Sequence, residues 1–195
     1  MNTMHIPSES PDTPVPFFRF ALRLLLAVGA LLLIPLTAMQ FTGEVNWDPF
    51  DFFVAFVLLT GTGLTYKLIS DRLNQSSYRR GVALAAVTSL AVIWVNLAVG
   101  IIGNEEHPAN LMFFGVLLTG FTGAILSGFR PHGLSLTMFG MAAGQFLIPV
   151  IAFIVWRPEI TVGVVKVFLF NWVFVMLFVA SGLQFRKAAA ALKSE

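Results

Sequence analysis

Apolar residues in this chain neither alternate nor recur as single stripes. They come in long runs, at about 17–39, 50–69, 82–102, 108–126, 134–155 and 160–185. Each run is near the length that a helix rising 1.5 Å per residue needs to cross a hydrocarbon layer of about 30 Å. Barrel strands are shorter and alternate, so the runs predict helices. The expected fold is an all-α, polytopic membrane helix bundle of six transmembrane helices. Residues 1–16 are polar and hold Pro7, Pro11, Pro14 and Pro16, and they read as a disordered tail before a transmembrane domain over 17–187. Residues 188–195 read as a short end outside the membrane.

Composition supports lipid as the solvent. Hydrophobic residues make up 57% of the 195 positions and charged residues 11%, against about 25% charged in a soluble domain. So few charges cannot cover a water-facing surface. Charge distribution then gives an orientation. Arg19, Arg23, Lys67, Arg72, Arg79, Arg80, Arg130, Arg186, Lys187 and Lys193 fall on one side, and only Arg157 and Lys166 fall toward the other. The basic side is expected to be cytoplasmic, which puts both termini inside. A basic pair opens the first run, as in a signal peptide. However, a polar leader precedes it, and Thr37-Ala38-Met39 lacks the small residues of a cleavage site.

One internal similarity stands out. Asp48-Pro49-Phe50-Asp51 leads into Val57-Leu58-Leu59-Thr60-Gly61, and a shift of 59 residues carries it onto His107-Pro108-Ala109-Asn110 and Val116-Leu117-Leu118-Thr119-Gly120. Three repeated helical hairpins would produce this. So would the ordinary chemistry of helix starts, where Pro follows a polar cap.

The stretches Ala38-Met39-Gln40-Phe41-Thr42-Gly43-Glu44-Val45-Asn46-Trp47 and Trp94-Val95-Asn96-Leu97-Ala98-Val99-Gly100-Ile101-Ile102-Gly103, the latter running on through Asn104-Glu105-Glu106-His107-Pro108-Ala109-Asn110-Leu111-Met112, resemble a family of small, uncharacterised bacterial inner-membrane proteins. The resemblance implies a multi-pass protein of the inner (plasma) membrane and implies no activity. The family pattern has an acidic residue where Gly43 stands and Asn where His107 stands. Neither residue is then a fixed part of any shared chemistry.

Two groups of residues could carry function. Glu44, Asp48, Asp51, Glu105, Glu106 and His107 fall in two loops expected on the extracytoplasmic side. Together they could form an acidic patch for a divalent cation, or be plain loop charges and helix caps. Asn96, Gln145, Lys166 and Asn171 lie inside the spanning runs. They could line a polar pocket open to that same side, or bond helix to helix. Lys166 could snorkel to the surface or pair with Glu159 or Glu105. Gly140 and Gly144 form a G-x-x-x-G that suits close helix packing within the chain or between copies.

Other chemistries have no support. There is no cysteine, and His5, His107 and His132 are scattered, so neither a thiolate site nor a haem pair is expected. The basic loop at 70–81 suits anionic headgroups and is too short for nucleic acid. The expected partners are the lipid bilayer and a second copy or another membrane protein. No cofactor and no catalytic residue is expected. Three readings follow: an accessory or structural membrane protein acting through helix contacts, a transporter or channel for a small solute or ion, and an interfacial enzyme using Glu105, Glu106 and His107.

Orientation can be tested directly. Alkaline phosphatase inserted in the 103–107 loop should be active, and the same enzyme fused after Lys193 should be inactive. Activity at both places would sink the six-crossing arrangement.

Overall fold

The computed structural model describes residues 17–43, 45–104 and 106–193. Among these the chain is helical throughout. The helices are α1 (Phe17–Phe41), α2 (Pro49–Ser70), α3 (Ser76–Ala98), α4 (Leu111–Leu126), α5 (Pro131–Trp156) and α6 (Val162–Ala191), with one 3-10 turn, Pro108–Asn110, before α4. All six helices, the fourth counted with its leading turn, are long and apolar enough to cross a membrane. This is the expected all-α membrane architecture. The tail at 1–16 lies outside the described residues.

Helix boundaries differ from the apolar runs for physical reasons. α3 begins at Ser76 and α6 continues to Ala191, because both helices carry their charged ends, Arg79–Arg80 and Arg186–Lys187, past the apolar core. The short end expected at 188–195 is therefore helical as far as Ala191. α3 stops at Ala98, four residues before its apolar run ends. Gly100 adopts φ +70° there, and the Val99 and Gly100 amides both donate to the Val95 carbonyl at 3.0 Å. This is a left-handed C-terminal cap, which favours glycine.

The chain divides into two compact units, Met1–Thr60 and Gly61–Glu195. In the first, α1 exposes apolar side chains around most of its circumference, with Val28 buried. α2 opens on a reciprocal cap: the Asp51 amide donates to Asp48 Oδ1 and the Asp48 amide to Asp51 Oδ2, both at 2.9 Å. Each carboxylate thus satisfies an amide that helix geometry leaves open.

In the second unit α6 is the axis. Its buried stripe runs Asn171, Phe174, Val175, Phe178, Ser181, Phe185 and Ala188 at helical spacing. α3 and α5 both pack on it. The Ser181 hydroxyl donates to the Gly81 carbonyl of α3 at 2.8 Å, and the Ser135 hydroxyl of α5 donates to the Gly182 carbonyl at 2.9 Å. α4 packs on α5 instead, where Gly120 faces Met141, Gly123 faces Thr137 and Gly144 faces Val116. Gly144 of the G-x-x-x-G is thus in an intramolecular contact, whereas Gly140 has open space around it. At the basic end, the buried Tyr78 hydroxyl donates to the Phe129 carbonyl at 2.9 Å, and Arg72 lies 4.3 Å over the Phe129 ring.

Two glycines should respond oppositely to alanine. A Cβ at Gly81 would lie 2.9 Å from the Phe185 ring, which is buried and held edge-on by Tyr78. Gly81→Ala should therefore lose about 1–3 kcal/mol. Gly140→Ala meets nothing within 4 Å and should gain about 0.5–1 kcal/mol through helix propensity. Thermal unfolding in detergent measures both. Equal effects would mean that the α3–α6 contact is not tight.

Candidate functional site

The intramembrane amides are organised by a proline. Pro149 lies inside α5 and has no N–H, so the carbonyl one turn earlier, on Gln145, has no helical donor. The Asn171 side-chain amide of α6 donates to that carbonyl at 2.9 Å. In return, Gln145 Nε2 donates to Asn171 Oδ1 at 2.9 Å. Two residues close a ring of hydrogen bonds across the helices and repair the break in one of them. Both are buried, Gln145 fully.

The other two members of the expected polar pocket make no hydrogen bond to this pair. Asn96, near the far end of α3, donates to the Val92 carbonyl of its own helix at 2.8 Å. Lys166 is exposed on α6, and among the described residues no carboxylate pairs with it. Gln145 and Asn171 are therefore brought together, Asn96 bonds within its own helix, and Lys166 is exposed. Gln145 Oε1 and Asn96 Oδ1 are buried acceptors without a hydrogen-bond partner.

The expected acidic patch is divided between the two units. Asp48 and Asp51 are exposed and cap α2. Glu44 and Glu105 lie outside the described residues. Glu106 is exposed. Within either unit, no three His, Asp or Glu side chains among the described residues could share a metal ion.

His107 has a different setting. Its Nδ1 accepts from the Ala109 amide at 3.2 Å, and its ring packs on Trp156 with centroids 5.1 Å apart at 60°. The neutral ring then carries its proton on Nε2. No family model, curated protein or solved structure matches this chain. Its chemistry must be read from its own geometry.

Asn110, one turn on, is the residue the sequence undersold. Its Oδ1 accepts from the Ile101 and Ile102 amides at 3.1 and 2.9 Å, and its Nδ2 donates to the Ile102 and Asn104 carbonyls at 3.1 and 2.6 Å. Four bonds from one buried side chain hold the loop between α3 and α4. A side chain at Gly100 would run into Asn104 and the Asn110 amide.

This clamp shapes one wall of a recess of about 420 Å³ at the same end of the bundle. Pro149, Ala152, Phe153 and Trp156 of α5 form a second wall, and Val164, Val167 and Phe168 of α6 a third. Ile102, His107 and Thr161 close the rim. Arg157 ends α5 in the left-handed region at φ 45°, and the Thr161 hydroxyl oxygen caps α6 by accepting from the Val164 amide at 3.4 Å. The floor is Pro149 and Val167, and the Gln145–Asn171 ring lies one turn below it by helix spacing.

The amide ring predicts a coupling. Asn171→Leu should be costly in the parent chain, because it strands the Gln145 carbonyl in an apolar interior. In a Pro149→Ala background the helix supplies its own donor to that carbonyl, and the same change should cost about 1 kcal/mol less. A double-mutant cycle by thermal unfolding reads this. Strict additivity would show that Asn171 does not compensate for the proline.

Proposed function

We propose that this integral membrane protein is a small accessory or structural component of the inner membrane, working through its helix contacts. The observation that carries this reading is the bonding of Gln145 and Asn171. The two amides within the spanning helices are bonded to each other and to backbone, which supports a role in holding α5 to α6. Ser135 and Ser181 are likewise bonded to neighbouring helices. These four side chains support a cohesive role. Exposed apolar side chains such as Leu26, Ile34 and Leu36 on α1 are available to lipid, to a second copy or to another membrane protein.

A transporter or channel for a small solute or ion is the second reading. It is favoured by one observation, the two unpartnered buried acceptors Asn96 Oδ1 and Gln145 Oε1. Reconstitution separates the two. Vesicles containing the pure protein should show no protein-dependent flux of ions or small solutes. Single cysteines placed at Leu26 or Ile34 of this cysteine-free chain should crosslink in native membranes to a copy or to another membrane protein. A protein-dependent flux that Gln145→Leu abolishes would overturn the first reading in favour of the second.

A further inference from the structure

The recess beside His107 has a chemistry of its own, independent of the helix-contact reading. We propose that it is a binding site for an uncharged, lipid-soluble molecule of the quinone class, a flat ring bearing hydrogen-bond-accepting carbonyls on an apolar tail. Three features select this guest.

The first is the charge of the walls. None of the described residues lining the recess is Asp, Glu, Lys or Arg. Arg157, beside Trp156, is exposed and does not line it. A phosphate or carboxylate would enter without a counter-charge, and desolvating it would be costly. A neutral guest avoids that cost.

The second is the kind of polar group present. His107 Nδ1 is already an acceptor for the Ala109 amide, which leaves Nε2–H as the ring's remaining hydrogen-bonding group. The Thr161 oxygen accepts from the Val164 amide, and its O–H can still donate beside one remaining lone pair. Each group therefore offers a donor. The complement of two donors is a carbonyl, and a guest without an acceptor would leave the His107 Nε2–H unpaired.

The third is the shape of the apolar part. The Phe153 and Phe168 rings meet edge to face at 6.4 Å and 75°, and His107 meets Trp156 at 60°. A flat ring entering beside them could gain edge-to-face contacts that a flexible acyl chain does not. The volume of about 420 Å³ falls in the range of small-molecule sites, about 300–1,000 Å³. The position, at one end of helices that span a membrane, lets an apolar tail remain in lipid while the ring enters.

The test uses Trp156 as the reporter. Trp47, Trp94 and Trp172 are changed to Phe, and the full chain is placed in phosphatidylcholine nanodiscs. Decyl-tailed dimethoxy-methyl-benzoquinone should quench Trp156 emission saturably. His107→Asn keeps a side-chain acceptor for the Ala109 amide but withdraws the Nε2–H, and it should weaken binding about tenfold. Gly163→Phe fills the mouth from a position where a Cβ meets only Thr161 Oγ1, at 3.5 Å, and it should abolish saturation. Unchanged melting of each variant shows that the fold is retained. Quenching that never saturates, or that is equal in the parent and Gly163→Phe, would overturn the proposal. So would saturable, Gly163→Phe-sensitive quenching by brominated-acyl phosphatidylcholine that the quinone cannot relieve, since the occupant would then be a lipid chain.

Discussion

Hydrocarbon offers no partner to an N–H or a C=O, and the α3–α6 unit is organised by that constraint. Pro149, inside α5, leaves the Gln145 carbonyl without a helical donor at membrane depth. Asn171 answers it from the next helix, and the Gln145 side chain answers Asn171. The exchange fixes the rotation and the depth of α5 against α6. The neighbouring contacts depend on that register: Ser135 on Gly182 is two to three turns further along the same interface, and Ser181 on Gly81 then ties α3 to the pair. The recess at the other end of the interface owes its walls to the same alignment.

Where the chain leaves the apolar layer, the same constraint takes another form. The loop after α3 turns through two left-handed glycines, Gly100 and Gly103, and its Ile101 and Ile102 amides lie beyond the last helical carbonyl they could use. Asn110 collects two of those amides and two carbonyls. Its counterpart under the shift of 59 residues is Asp51, which instead folds back onto Asp48 to cap its own helix. A carboxylate only accepts, so it can serve helix amides. A primary amide both donates and accepts, so it can clamp a loop that presents both. One sequence position after a Pro thus performs two tasks, decided by the chemistry of a single side chain.

The helices were legible because apolar run length is a direct readout of lipid solvation. Their ends were less so. Hydropathy marks where lipid stops, and α6 continues past that point into Arg186 and Lys187 because nothing there breaks a helix. The cost of Gln145 and Asn171 was also legible, but their partners were not. Two amides in one bundle can face a cavity or each other, and depth alone does not separate the cases. A usable signal was present: Pro149 four residues after Gln145 marks an orphan carbonyl, and an amide at mid-depth in the next helix is the expected answer. Asn110 read as a generic helix-start residue, since the loop it clamps is defined only by the fold. The recess could not be read at all, because its lining comes from three separate segments that only the fold brings together.

The amide ring beneath the recess bears on what the recess can do. Hydrogen bonds between membrane helices are worth about 0.6 kcal/mol each on average and up to about 1.7 kcal/mol. Opening a path between α5 and α6 at that level would break two of them together. The pair therefore resists separation of the two helices below the recess. The one group at that level still lacking a partner is Gln145 Oε1. A donor arriving there would meet an acceptor that loses nothing by bonding it. Water or a guest could therefore gain a first foothold in the floor at Gln145 Oε1 without first breaking the ring.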